Sequence, residues 1–154
     1  MFLSLTPEQF KIHHILFSEK VENKVINNSD FYRIMYSDEI CVMTGLNIFF
    51  SLSNINIERY FNKVKCSILD DHNIKIINSL KEVEELILKK FNILNSDKKC
   101  VLNIASQLKN NYIKIYTNKY ISYGNKTRLS LLLKISGIWE SESEYGITFR
   151  FFIC

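Results

Sequence analysis

Apolar and polar residues alternate at two different periods along this chain, and the change of period locates its elements. Between Asn111 and Thr117, Ile113 and Ile115 alternate with Tyr112, Lys114 and Tyr116. Successive side chains of a strand point to opposite faces, so one face is isoleucine and the other Tyr-Lys-Tyr. From Ile77 to Phe91 the period lengthens: Ile77, Leu80, Val83, Leu86 to Leu88 and Phe91 recur at helical spacing. Glu82, Glu84 and Glu85 come early in that run and Lys89 and Lys90 late, as a helix dipole favours. The spacing predicts one main helix over about 79–92, with Ser79 as its cap.

Elsewhere the β-formers dominate. Phe31 to Tyr36, Ile40 to Met43 and Leu46 to Leu52 predict a meander, with Gly45 as a pivot. Asn54 to Asn62 reads as a helical turn or loop, Val64 to Leu69 as a strand and Asp70 to Asn73 as a turn. After the helix, Val101 to Leu108, Tyr112 to Tyr116, Lys119 to Tyr123, Leu129 to Trp139 and Ile147 to Ile153 make the remainder almost entirely strand. Thr6-Pro7-Glu8-Gln9 has the outline of a helix start, while Phe10 to Phe17 also suits a strand. Short strands interrupted by one strong helix predict a β-rich α+β fold in a single domain, 1–154. It is either an antiparallel barrel of the oligonucleotide-binding kind, whose helix follows its third strand, or a strand-rich sandwich.

Charge sharpens this picture. Between Lys98 and Trp139 stand Lys98, Lys99, Lys109, Lys114, Lys119, Lys126, Arg128 and Lys134 with no Asp or Glu, although the whole chain is only +4. Tyr112, Tyr116, Tyr120 and Tyr123 lie among them. Segregated positive charge points to a polyanionic partner. Tyrosines simply favour strands and lysines favour solvent, but an aromatic-cationic-aromatic surface also offers rings to unpaired bases and an ammonium to the phosphate between them. Tyr32 and Arg33 on one strand, and Arg59, Lys63 and Lys65 around another, are the earlier residues that would complete such a groove. Arg150, between Phe149 and Phe151, is expected to face solvent.

Catalytic chemistry has no candidate. Four glycines form no phosphate-cradling loop, His13-His14 diverge in direction, and the cysteines at 41, 66, 100 and 154 never pair at metal-ligand spacing. The expectation is therefore no enzyme, no metal and no cofactor. Met1 to Leu5 meets Thr6-Pro7-Glu8 at once and no segment nears the roughly 18 apolar residues of a membrane span, so neither a signal peptide nor a membrane partner is expected. Unpaired thiols suit a reducing compartment, cytoplasm or nucleus.

LKISGIWESESEYGITFRF, with FYRIMYSDEICVMTGLNIFFSL and IERYFNKVKCSI, resembles the single-stranded-DNA-binding proteins of large double-stranded DNA viruses, over about half of the chain. The resemblance implies an oligonucleotide-binding barrel that coats exposed DNA in the host nucleus or cytoplasm during replication or recombination, without catalysis. Self-association and replication proteins are the further partners it leaves open. A departure from the pattern is expected in the lack of a long acidic tail, and with it of the recruitment of replication partners through one. A protein-interaction or viral assembly module, with Tyr112 and Tyr116 as interface anchors, is the rival expectation.

Overall fold

The computed structural model describes residues 3–92, 97–117 and 121–154. Its centre is a closed barrel of five strands: β5 (Leu46–Tyr60), β6 (Lys63–Ile68), β8 (Tyr112–Tyr116), β9 (Gly124–Glu140) and β10 (Glu144–Ile153). Around the ring the order is β5-β6-β8-β10-β9 and back to β5. Every join is antiparallel except β8–β10, whose parallel register sets Phe151 beside Ile115 and Phe152 beside Tyr116. The strand arrangement is that of an OB-like barrel. Three shorter strands, β1 (Ile15–Phe17), β2 (Val21–Glu22) and β4 (Val42–Thr44), pair with β3 (Asp30–Ser37), which lies against the far end of β9. The remaining strand, β7 (Lys99–Val101), runs parallel to the start of β10.

Strand alternation fills the barrel with Leu46, Ile48, Leu52, Ile113, Ile115, Leu133 and Phe151, each 1% exposed or less. Burial on β5 changes parity at Asn54, where φ is +50° and the strand bends without losing its register against β9. The 54–62 stretch, expected to be a helical turn or loop, is therefore the second half of a fifteen-residue strand as far as Tyr60, with residues 61 and 62 as the turn that follows. Side-chain periodicity shifted by one residue at the bend, which hid the continuation.

The main helix, α1 (Ile74–Phe91), starts five residues before the expected boundary and buries Leu80, Val83, Ile87 and Leu88. Ser79 is not its cap but bonds back to the Lys75 carbonyl, at 3.0 Å. The true anchor is the buried Asn73, which accepts from the Ser53 amide at 2.8 Å and donates to the Ser53 carbonyl at 2.7 Å. The helix thus docks against β5 beside its bend. It follows the second barrel strand, not the third.

A second departure lies at Val101 to Leu108, expected as strand. Here α2 (Asn103–Lys109) is a helix. Its first turn is held by Glu84 of α1, a wholly buried carboxylate that accepts from the amides of Ile104 and Ala105, both at 2.9 Å. Burial raises the Glu84 pKa, and those two N–H donors oppose the shift. Two glycines permit close approach where β9 meets its neighbours: a Cβ on Gly137 would lie 2.2 Å from the Tyr32 carbonyl, and one on Gly146 would lie 2.8 Å from the Trp139 ring. Trp139 is half-buried, with its ring lying over Gly146.

Candidate nucleic-acid interface

Residues that point into the barrel are apolar, so their neighbours along each strand must point out. On β6 these are Lys63 and Lys65, on β8 Tyr112, Lys114 and Tyr116, on β10 Arg150 and Phe152, and on β9 Leu132 and Lys134. Pairing arranges them in two adjacent rows that run across the strands. In the first row Lys65 stands directly opposite Lys114, and Arg150 directly opposite Lys134. The parallel register of β8 and β10 carries Arg150 alongside Lys114. Four cations from four consecutive strands therefore form a line, spanning about 14 Å at the usual strand spacing.

The second row is aromatic and apolar. Tyr60 pairs with Lys63, Tyr116 with Phe152, Phe152 with Leu132 and Leu132 with Phe49. Cations and rings interlock across the two rows. The Lys63 ammonium lies 4.7 Å from the Tyr116 ring centre and the Arg150 guanidinium 4.9 Å from the same ring. Lys65 sits 5.1 Å from Tyr112, and Lys114 5.4 Å from Tyr60. Each such contact contributes about 0.5–1 kcal/mol at an exposed site. Only one acid meets these cations among the described residues: Glu58, 3.7 Å from Lys65.

Directly opposed like charges destabilise an antiparallel pair. This face carries two such pairs in line, so fold stability alone does not account for it. Beneath it, on β6, the Cys66 thiol is pushed up to about 12 by burial, as befits a wall residue that takes no part in the surface.

Six of the residues singled out from sequence therefore meet on one surface: Lys63, Lys65, Tyr112, Lys114, Tyr116 and Arg150. Arg33 lies next to it, lining a hollow of about 180 Å³ together with Lys134. Tyr32 does not join. Its ring packs edge-on against Phe91 at 4.8 Å and its hydroxyl donates to Glu140 at 3.2 Å. Burial, and then the Glu140 charge, raise its pKa. Tyr123 is exposed ahead of β9, where Lys126 bonds the Ser122 hydroxyl. Arg128 faces Ser53 and bonds the Ser51 hydroxyl at 3.4 Å, about 20 Å along β9 from Lys134. Lys119 and Tyr120 lie outside the described residues.

Tyr60 and Lys134 were missed. The first falls in the stretch read as a helical turn or loop, although Ile-Asn-Ile-Glu-Arg-Tyr alternates at strand period and could have exposed it. Charge segregation also misled in part. Of the described cations between Lys98 and Trp139, only Lys114 and Lys134 stand in the row, and Lys98 is paired with Glu140 at 3.5 Å. Arg59, beside the hairpin tip, gives its Nε proton to the Phe61 carbonyl at 3.1 Å.

Opposite chemistry occupies the far end of the sheet, where Glu22, Asp30, Glu140 and Glu142 line an acidic hollow of about 380 Å³ with Lys98. Cys41, Cys66 and Cys100 form no disulfide, no metal-binding group occurs among the described residues, and no helix among them is long and apolar enough to cross a membrane. Comparison with protein families, curated proteins and solved structures finds no match to the chain.

Proposed function

We propose that this chain is a noncatalytic binder of single-stranded nucleic acid, DNA in preference, acting where strands are exposed in replication or recombination, as the viral proteins it resembles do. The observation that carries this reading is the line Lys65, Lys114, Arg150 and Lys134 beside the rings of Tyr60, Tyr112 and Tyr116. A phosphate backbone laid along the cations relieves both like-charge pairs. Lysine ammoniums ride on flexible stems, so phosphates draw them off the tyrosine rings and leave ring faces open for bases. Stacking of this kind contributes about 1–3 kcal/mol per base and tolerates any base, so sequence preference is slight.

The test is an anisotropy titration of a fluorescein-labelled oligothymidine at several salt concentrations. Four engaged cations predict a slope of log affinity against log salt near −3, from about −0.7 per phosphate on a single strand. Affinity indifferent to salt overturns the proposal.

A second reading has one specific observation in its favour. Phe49, Leu132, Phe152 and Ile153 line a hollow of about 430 Å³ that would suit a protein partner's apolar side chain. Replacing Lys65, Lys114 and Arg150 by alanine separates the readings, since an apolar interface survives the change and a phosphate track does not.

A further inference from the structure

Phe61 occupies the tip of the β5–β6 hairpin, in the two-residue connection between Tyr60 and Lys63. Two features there each cost free energy. The residue is 82% exposed, and its φ is +54°. Left-handed backbone costs a residue with a Cβ roughly 1–2 kcal/mol, least for asparagine, and hairpin turns of this length normally place Gly or Asn at such a position. The other non-glycine residues with positive φ among those described are Asn28, Asn54 and Asn111. Phe61 alone among the four is bulky and apolar. Asn62 is next to it, so a cheaper order of the same two residues was within reach of one exchange.

The conformation is nevertheless held. Arg59 bonds the Phe61 carbonyl at 3.1 Å, and Tyr60 meets the ring edge-on, with centres 4.9 Å apart and planes at 80°. Tyr60 is also the end of the aromatic row and the neighbour of Lys114. Phe61 therefore stands just beyond the last position of the proposed strand track. It differs from the tyrosines of that track: they lie half-buried or partly exposed among cations, whereas Phe61 projects and, among the described residues, has no cation over its ring. An unaccompanied apolar ring suits a surface that is flat, apolar and free of phosphate. The end face of a terminal base pair is such a surface, and inserted phenylalanines unstack base steps in this manner.

We infer that Phe61 is a wedge that seats the protein at the junction between an unpaired strand and a duplex, by stacking on the last base pair. The inference rests on the single-strand reading above. In outline, the unpaired strand follows the two rows and the duplex abuts the hairpin tip.

The experiment uses the full chain and three DNA probes: an unpaired 20-mer, and the same 20-mer extended into a hairpin duplex at its 5′ or its 3′ end, with 2-aminopurine in the terminal pair. The wild type is expected to bind one junction about tenfold more tightly than the unpaired strand, the yield of one added stacking contact. The 2-aminopurine signal should rise as its stack opens. Phe61→Gly and Phe61→Asn should melt no lower than wild type, because either residue accepts positive φ more readily. Both should keep affinity for the unpaired 20-mer while losing the junction preference and the signal, and Phe61→Tyr should retain them. Equal binding of all three probes by the wild type, or junction preference kept by Phe61→Gly, overturns the wedge and leaves the single-strand reading intact. Failure of the wild type to bind any probe overturns both.

Discussion

Tyr32 and Tyr116 are half-buried tyrosines on strands of one continuous sheet, and their neighbours carry opposite charge. The hydroxyl of Tyr32 is spent on Glu140 and its ring on Phe91, on the side where α1 packs. Tyr116 has the cations of Lys63 and Arg150 against its ring and a further aromatic, Phe152, beside it on β10. A tyrosine in a strand is thus not informative by itself. Its role is set by whether the groups around it compete for the ring and hydroxyl or can be drawn away by a ligand.

The largest effect should come from removing the charge that distinguishes the two settings. A variant with Lys65, Lys114, Lys134 and Arg150 all changed to alanine is expected to lose at least a hundredfold in affinity for oligothymidine at moderate salt and to flatten the salt slope by nearly 3. Its melting temperature, followed by circular dichroism, should hold or rise, because two opposed like-charge pairs disappear. A wild-type salt slope in this variant would show that the row does not bind phosphate.

Next in size, Tyr116→Ala should weaken binding about tenfold in the same titration with little change in melting, whereas Tyr32→Ala should leave binding unchanged and cost about 1–3 kcal/mol of stability in denaturant. Reversal of that pattern would break the contrast between the two tyrosines. A smaller change of opposite sign is expected at the one acid of the face. Glu58→Gln frees Lys65 from a surface ion pair worth at most about 1 kcal/mol and should tighten binding two- to fourfold.

The smallest effect is alkaline. Burial and then Glu140 raise the pKa of Tyr32 above its ordinary 10.0 in the folded protein. The stability from its neutral hydroxyl is complete below pH 10 and is lost as pH climbs through the raised value. Tyr32→Phe should therefore cost about one hydrogen bond at neutral pH and show a shallower loss of stability above pH 10 in urea melts.

Local pattern made some of this molecule readable and tertiary context hid the rest. The alternation around Lys114 and the helical spacing from Ile77 to Phe91 both reflect a single buried face, and both hold in the structure. Arg150 likewise faces outward opposite the buried Phe151. By contrast the 101–108 segment, expected as strand, folds largely as helix: Ala105, Gln107 and Leu108 favour one, and a carboxylate twenty residues away captures the amides of its first turn. Nothing within the segment announces that partner. The site was legible strand by strand but not as a whole: Tyr123, Lys126 and Arg128 share the acid-free stretch with Lys114, yet strand pairing sends them elsewhere. Lys63 and Lys65 arrive from before the helix, and Lys134 and Arg150 become neighbours only across the β9–β10 ladder.

Ring closure through the parallel β8–β10 pair also bears on how the protein matures. It joins Ile115 to Phe151, and the β5–β9 ladder joins residues as distant as Leu46 and Ile135, so closing the ring is a non-local step of the kind that slows folding. Because the row of cations is completed by that same step, an incompletely closed chain holds its charges apart and gives a polyanion little purchase. A ligand that recognises only the closed ring pulls the equilibrium toward it by mass action, so nucleic acid in excess should delay thermal unfolding and act as a late chaperone for its own receptor.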